Sequence, residues 1–406
     1  MSVIAILGTM DSKGLEHDFV AKLIRARGHE TLIIDLGTGG EPQVPVDIDR
    51  FTVAAFSELD LQSLISKKDR GECVVAMSKA APLFVADLVT QQKIDGIISL
   101  GGGGGTALGT AVMRALPIGF PKVMVSTLAS GNTAHYLGTK DIVMIPSIVD
   151  VAGLNRISKK IFSRAAGAIS GMVEQEYAET SAKPLIVASM FGNTTECINI
   201  ASKVLEAAGY EVLVFHATGM GGKTMEGLIE SGMVEGVLDL TTTEWADEIT
   251  GATLSAGPTR MDAMSIAKVP AVIAPGCVDM ANFGEEQTVP EIYAGRTFYI
   301  HNPQVTLMRT NMEENKQLGE IIAKKANANT APTVIMLPKK AISIISAEGQ
   351  AFYDQKADQA LFDSIKNHSS VEVIEIDEKI NSEIFAQASA HKLLELIKIN
   401  KEQHHG

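Results

Sequence analysis

The chain has 406 residues, 36 of them glycine, and a net charge of −13. A field of that sign repels polyanions, so neither nucleic acid nor an anionic membrane is an expected partner; one anion held locally by backbone N–H groups is still allowed. Hydrophobic residues at 46 % and charged residues at 20 % exclude a disordered chain, and the length predicts two domains or three at about 150 residues each.

Val3–Leu7 reads as a buried strand that ends at Gly8-Thr9. Gly14–Arg27 follows as a helix, with Leu15, Phe19, Val20, Leu23 and Ile24 on one face and Gly28 as its stop. Thr31–Asp35 is the next strand, running into the glycine turn Gly37–Gly40. Continuous apolar runs joined by a helix open a parallel βαβ unit. Ser78-Lys79, after the apolar run Cys73–Met77, reads as a further strand-end loop. Ile94–Leu100 is a strand, followed by five glycines and a helix over Thr106–Leu116. Lys122–Ser126 and Asp141–Ile145 are further strands, and Val151–Ala178 is a long helix closing the domain.

A composition break at Glu179–Pro184 sets the expected domains at 1–180 and 181–406. The second half then repeats the first. Gly209-Tyr-Glu-Val-Leu-Val-Phe mirrors Gly28-His-Glu-Thr-Leu-Ile-Ile, Glu235–Leu240 mirrors Asp95–Leu100, and Pro270–Pro275 mirrors Pro121–Ser126. Two tandem doubly wound, Rossmann-like α/β domains of related topology are expected. Pro332–Leu337 and Val371–Ile376 add strands, and Ala357–Lys366 and Ser382–Ile399 add helices.

The glycine run is the sharpest chemical signal. Gly101, Gly102, Gly103, Gly104 and Gly105 stand between a strand and a helix. Side-chain-free residues there let N–H groups approach an anion, and the helix N-terminus adds about half a positive charge. Thr106 is placed to cap the helix or hold a phosphate oxygen. Thr9, Ser12 and Lys13, after the first strand, converge on the same crevice by the geometry of doubly wound sheets; Lys13 would serve as a point charge. Ser78 and the loop Ser126, Thr127, Ser130, Gly131 should face it too. The bland alternative is a tight packing turn with a solvated lysine, but five glycines exceed what a turn needs.

In the second half, Ala217–Thr224 nearly matches a P-loop, with Asp239 as a downstream carboxylate, but it follows the second strand of its domain rather than the first. His216, Glu244 and Asp279 at strand ends are candidates for a polar catalytic centre; a hydrogen-bonded strand-end histidine is the competing reading of His216. Cys277 reads as packing, and Trp245 as the wall of that pocket. Three scattered cysteines fit a reducing compartment. No uninterrupted apolar stretch reaches the roughly 18 residues of a membrane span, so a cytoplasmic location is expected.

Val3–Gly14, Ser99–Thr106, Val125–Asn132, Phe215–Gly222 and Pro275–Met280 together resemble the UPF0261, or Tm-1-like ATP-binding, family across essentially the whole chain. The resemblance implies two Rossmann-like domains, an ATP site and a homodimer. In the family's plant member the N-terminal region acts against a tobamovirus by binding its replication protein; no residue here carries that surface. On this basis ATP is assigned to Gly101–Thr106, with Thr9 and Lys13 assisting and Ser126–Gly131 completing the cradle. Asp35 and Gly37–Gly40 are candidates for the ribose or base, and Asp11 is the candidate indirect partner of a Mg²⁺ ion. Two functions compete. One is an ATP-dependent enzyme on a small acidic metabolite held by the second domain across an interdomain cleft. The other is a non-catalytic ATP-binding module that a partner protein reads.

Overall fold

A computed structural model describes residues 1–67, 69–175 and 183–404. The chain forms two compact units, Met1–Glu179 and Thr180–Gly406; residues 179–182 of the expected boundary segment, and the last three of the expected helix Val151–Ala178, lie outside the described residues.

The first unit runs β1 (Val3–Gly8), α1 (Met10–Ala26), β2 (Glu30–Asp35), α2 (Arg50–Ala55), α3 (Leu61–Ser66), α4 (Arg70–Thr90), β3 (Gly96–Gly101), α5 (Gly103–Ala115), β4 (Lys122–Ser126), α6 (Ala134–Leu137), β5 (Val143–Pro146) and α7 (Arg156–Glu174). Its sheet is parallel throughout, in the order β2-β1-β3-β4-β5. Alternate residues of β1 feed two separate cores. Ala5 and Leu7 join the layer of α4 and α5, whereas Ile4 and Ile6 join that of α1 and α7. A strand buried on both faces therefore reads as an unbroken apolar run.

The second unit runs β6 (Leu185–Met190), α8 (Thr195–Ala207), β7 (Glu211–His216), α9 (Met220–Glu230), β8 (Val234–Thr241), α10 (Glu244–Thr250), α11 (Ala263–Ile266) and β9 (Ala271–Gly276). A three-stranded antiparallel ribbon follows, from β10 (Met280–Phe283), β11 (Phe298–Asn302) and β12 (Val305–Arg309). Then come α12 (Met312–Ala328), β13 (Thr333–Pro338), α13 (Gln355–His368), β14 (Glu372–Ile376) and α14 (Glu383–His404). The parallel strands lie in the order β14-β13-β9-β8-β6-β7. Read from β7, this is second, first, third, fourth, fifth and sixth, the same winding as the first unit with one strand added. The two doubly wound units thus share a topology. In each, the winding reverses between the first and third strands, the point outside whose carboxyl ends doubly wound sheets place a crevice.

Two local expectations are corrected. Cys73–Ser78 is not a strand and its loop but the middle of α4. The Asp69 side chain caps that helix, accepting from Glu72 N–H at 2.9 Å. Ala76, Ala80, Ala81 and Ala86 then sustain it against the strand preference of Val74 and Val75. The segment Gly71–Thr90 is long and apolar enough to cross a membrane by length and composition, with mean hydropathy 1.6 and a third of its window buried; Ser78 and Lys79 interrupt the run and hid it from a count of uninterrupted apolar residues. Helix α1 begins a turn earlier than expected and is rotated. It buries Met10, Gly14, His17, Val20, Ala21 and Ile24, and leaves Leu15 exposed.

Candidate anion crevice

Three turns of the first unit meet at the switch point between β1 and β3. After β1, Thr9 stands before α1 without a side-chain cap bond; Ser12 Oγ donates to Thr9 Oγ1 at 3.0 Å. At Lys13 the backbone leaves the helical region (φ −132°, ψ 18°). Lys13 is half-buried and forms no ion pair among the described residues.

After β3 comes the glycine run. Gly103, Gly104 and Gly105 are the first turn of α5, and Gly102 is its N-cap, with no side chain to satisfy the helix's first N–H groups. Gly103 and Gly104 are exposed. A Cβ on Gly101 would lie 2.7 Å from Gly105 Cα, so the turn closes only with glycine at that position. Cβ atoms on Gly103 or Gly104 would meet nothing within 4 Å. The outer glycines therefore leave open space above unsatisfied N–H groups.

The third turn, after β2, is tied from inside. Gly37 N–H donates to Asp35 Oδ1 at 2.7 Å, and Met10 N–H to the same oxygen at 2.9 Å. Gly39 N–H donates to Asp11 Oδ2 at 2.7 Å. Arg50 Nη2 donates to Gly40 O at 2.6 Å, with its Nε 3.7 Å from Asp35 Oδ2. Burial raises the Asp35 carboxyl above its usual range, against the pull of those N–H groups and Arg50. Together the turns enclose a crevice of about 670 Å³. One side is Thr9, Asp11, Ser12, Lys13, Thr38, Gly39, Gly40 and Gly101–Gly105; the other is largely apolar, with Ile65, Cys73, Val74 and Leu108, and carries the Asp69 carboxylate that caps α4.

Several expected ligands stand elsewhere. Asp35 is buried and anchors the glycine turn rather than facing the crevice. Ser78 lies in mid-helix, its hydroxyl donating to Val75 O at 2.8 Å. Thr106 and Ser126 are wholly buried beneath the glycine turn and share a 2.7 Å hydrogen bond. Thr127, Ser130 and Gly131 belong to the turn after β4, outside the crevice lining; Thr127 N–H holds Gly101 O at 3.2 Å. Sequence reasoning missed the apolar side, because Ile65 and Val74 come from helices whose place above the sheet no spacing reveals.

The second unit's candidates do not form an open centre. His216 is exposed at the end of β7 and stacks on Phe191, with ring centroids 5.3 Å apart. Glu244 is buried. Its Oε1 accepts from Gly219 N–H at 2.7 Å and Gly222 N–H at 3.1 Å, and its Oε2 accepts from Arg260 Nε at 2.7 Å. A Cβ on Gly222 would collide with that carboxylate. The near P-loop is therefore filled by the chain's own anion. Asp239 is gripped by both Arg260 Nη atoms, at 2.6 and 2.7 Å, and by Ser189 Oγ at 2.6 Å. Glu226 completes the cluster at 3.0 Å. Burial works against the Arg260 charge, but Asp239, Glu244 and Glu226 outweigh it and hold the guanidinium ionised.

Asp279 is wholly buried, which raises its carboxyl, and accepts from Ser343 Oγ at 2.8 Å. Cys277 is buried with φ 60°, and burial pushes its thiol far above the ordinary range, as packing requires. Trp245 is a core residue whose Nε1 meets Met261 Sδ at 3.3 Å. A groove of about 1540 Å³ over α12 and α13 is larger than the crevice, but its charges are mixed. Lys316 is paired with Glu313 at 2.7 Å and Lys339 with Glu375 at 3.1 Å. Volume alone does not make it the better site.

The fold defines a protein of two doubly wound α/β units, with a glycine-lined crevice at the switch point of the first. The chain belongs to the uncharacterised protein family UPF0261: the N-terminal domain model matches residues 2–178 and the C-terminal domain model residues 183–397. It is 49 % identical over 398 residues to a UPF0261 protein of Clostridium tetani, covering 97 % of this chain and 98 % of that one. A UPF0261 protein of Rhizobium meliloti is 43 % identical, over 96 % and 98 %. The ToMV resistance protein Tm-1 of Solanum lycopersicum is 41 % identical over 80 % of this chain, which spans 45 % of the tomato protein. The spinosyn rhamnosyltransferase SpnG has a TM-score of 0.22 at 13 % identity, covering 98 % of this chain and 97 % of its own.

Proposed function

We propose that the first unit binds ATP, with the phosphates on the N–H groups of Gly102–Gly104 and on Lys13 and the base toward Ile65, Val74 and Leu108. The observation that carries this reading is the uncapped, exposed glycine turn opening α5 at the switch point, beside a lysine that forms no ion pair among the described residues. A helix N-terminus of this kind favours a phosphate, and an apolar side opposite an anion-binding side suits a nucleotide better than a bare anion. Two carboxylates line the crevice: Asp11 stands beside the glycine turns with one oxygen engaged by Gly39, and Asp69 caps α4. Among the described residues no group of three or more potential metal ligands gathers. A Mg²⁺ ion would thus be held mainly by the phosphates and water.

Of the two functions, the nucleotide-binding module has the better support. Glu244 is engaged inside the second unit and Asp279 is wholly buried there, bonded through Oδ2 to Ser343, which leaves His216 as the one exposed residue of the three catalytic candidates. The test is thermal unfolding with and without ATP in the wild type and Gly104→Asp. The new side chain has room and suits a helix N-terminus, so the fold should persist. Its carboxylate would occupy the phosphate position. ATP at a hundred times its Kd should stabilise the wild type by about 2.7 kcal/mol and the variant by nothing measurable. An equal shift in both would place ATP elsewhere. Release of ADP by the wild type with a sugar acid would restore the enzymatic reading.

A further inference from the structure

We propose that His17 is a positioning residue for the crevice: its ring ties the turn after β1 to the end of β3 and holds the two phosphate-facing loops in register. The proposal rests on the nucleotide reading of that crevice. His17 is wholly buried in α1. Its Nε2 accepts from Leu100 N–H at 3.3 Å, and its Nδ1 lies 2.7 Å from Lys13 O. Because the Leu100 group is a donor, Nε2 must carry the lone pair. The ring proton then sits on Nδ1 and is donated to the Lys13 carbonyl. Burial holds the imidazole below its ordinary pKa, against the Lys13 carbonyl bond, the nearby Glu16 charge and the Leu7 carbonyl, and the Lys13 charge lowers it further. The uncharged ring that this geometry uses is thereby favoured.

Leu7 and Ser99 are the last paired residues of β1 and β3. Beyond them the two chains separate toward Lys13 and Gly101, and the ring spans the gap. It also fills the space over Gly8, where a Cβ would lie 2.2 Å from Nε2. Gly8, Lys13 and Leu100 are thus held by one side chain, and the residues it sets, Lys13 and Gly101, line the crevice.

The test is ATP affinity by calorimetry, with native circular dichroism required of each variant. His17→Leu keeps the volume and loses both hydrogen bonds, and should weaken ATP binding at least tenfold. His17→Gln can return an acceptor to Leu100 and should stay within threefold of the wild type. Should the leucine variant not fold, Gly8→Ala displaces the ring with the histidine still present. It should weaken binding comparably, and adding His17→Ala to it should weaken binding no further. Wild-type affinity in folded His17→Leu or in Gly8→Ala, or equal losses in His17→Leu and His17→Gln, overturns the proposal. If those results come while Gly104→Asp still abolishes binding, the nucleotide reading survives without it; a wild type that binds no ATP ends both.

Discussion

The two units wind their strands in the same order and use the result in opposite ways. At the first switch point the turn after the third strand is glycine, open and uncapped. At the second it is Thr241-Thr242-Thr243, wholly buried. There Thr241 Oγ1 lies 2.8 Å from Thr194 Oγ1 of the turn after β6, and the two loops are closed on each other. The ribbon strand β10 lies over them, its Met280 O accepting from Thr243 Oγ1 at 3.5 Å. The turns after the second strands, by contrast, are alike. Gly37 and Gly39 donate to Asp35 and Asp11, as Gly219 and Gly222 donate to Glu244. A glycine-rich turn is therefore no sufficient sign of a ligand. Three of these four turns already hold an internal partner, and the turn opening α5 has no side chain capping it.

The comparison can be broken most forcefully at Arg260. Replacing it by methionine leaves Asp239 and Glu244 buried without their counter-charge, and urea unfolding should show a loss of about 3–5 kcal/mol. A loss below about 1 kcal/mol would mean that the closed turn of the second unit does not depend on its ion cluster. The pH dependence comes next. Burial pushes the Asp247 carboxyl up to about 7, against hydrogen bonds from Asn282 and Leu254. Between about pH 4 and 7 it is protonated when folded and ionised when unfolded. Its contribution is therefore complete at low pH and is lost as the pH rises to 7, by on the order of 4 kcal/mol at most. Asp358, raised to about 6 mainly by burial, acts in the same direction. Asp247→Asn should flatten that slope in stability measured against pH; an unchanged slope would assign it to other groups. The smallest effects belong to the paired hydroxyls. Thr194→Val and Thr106→Val should each lower stability by about 1 kcal/mol and leave the ATP response intact. A lost response in Thr106→Val would bring that hydroxyl back into the crevice.

The repeat was legible because parallel strands buried on both faces leave unbroken apolar runs, and turns at matching places keep the order visible. The glycine turn and Lys13 were legible for a similar reason: their chemistry is local. Thr106 and Ser126 misled because a hydroxyl at a strand end reads the same whether it faces a crevice or a neighbouring hydroxyl. Glu244 misled likewise. Its partner Arg260 lies in another loop, and no spacing announces an ion pair that only the folded chain creates. The antiparallel ribbon and the helical Cys73–Ser78 were missed because short β-branched runs are ambiguous until packing decides them.

The first turn of α5 is made of three glycines. Each is about 1 kcal/mol less helix-favouring than alanine, so this end of the helix is held by little besides its continuation. Its amides should exchange with solvent far faster than those of the buried turns below. A bound phosphate would give those amides acceptors and finish a helix that the chain leaves incomplete. Affinity would be lowered by the ordering, while occupancy would be written into local rigidity. A partner could then sense the ligand by feeling whether the end of one helix is firm, without touching it.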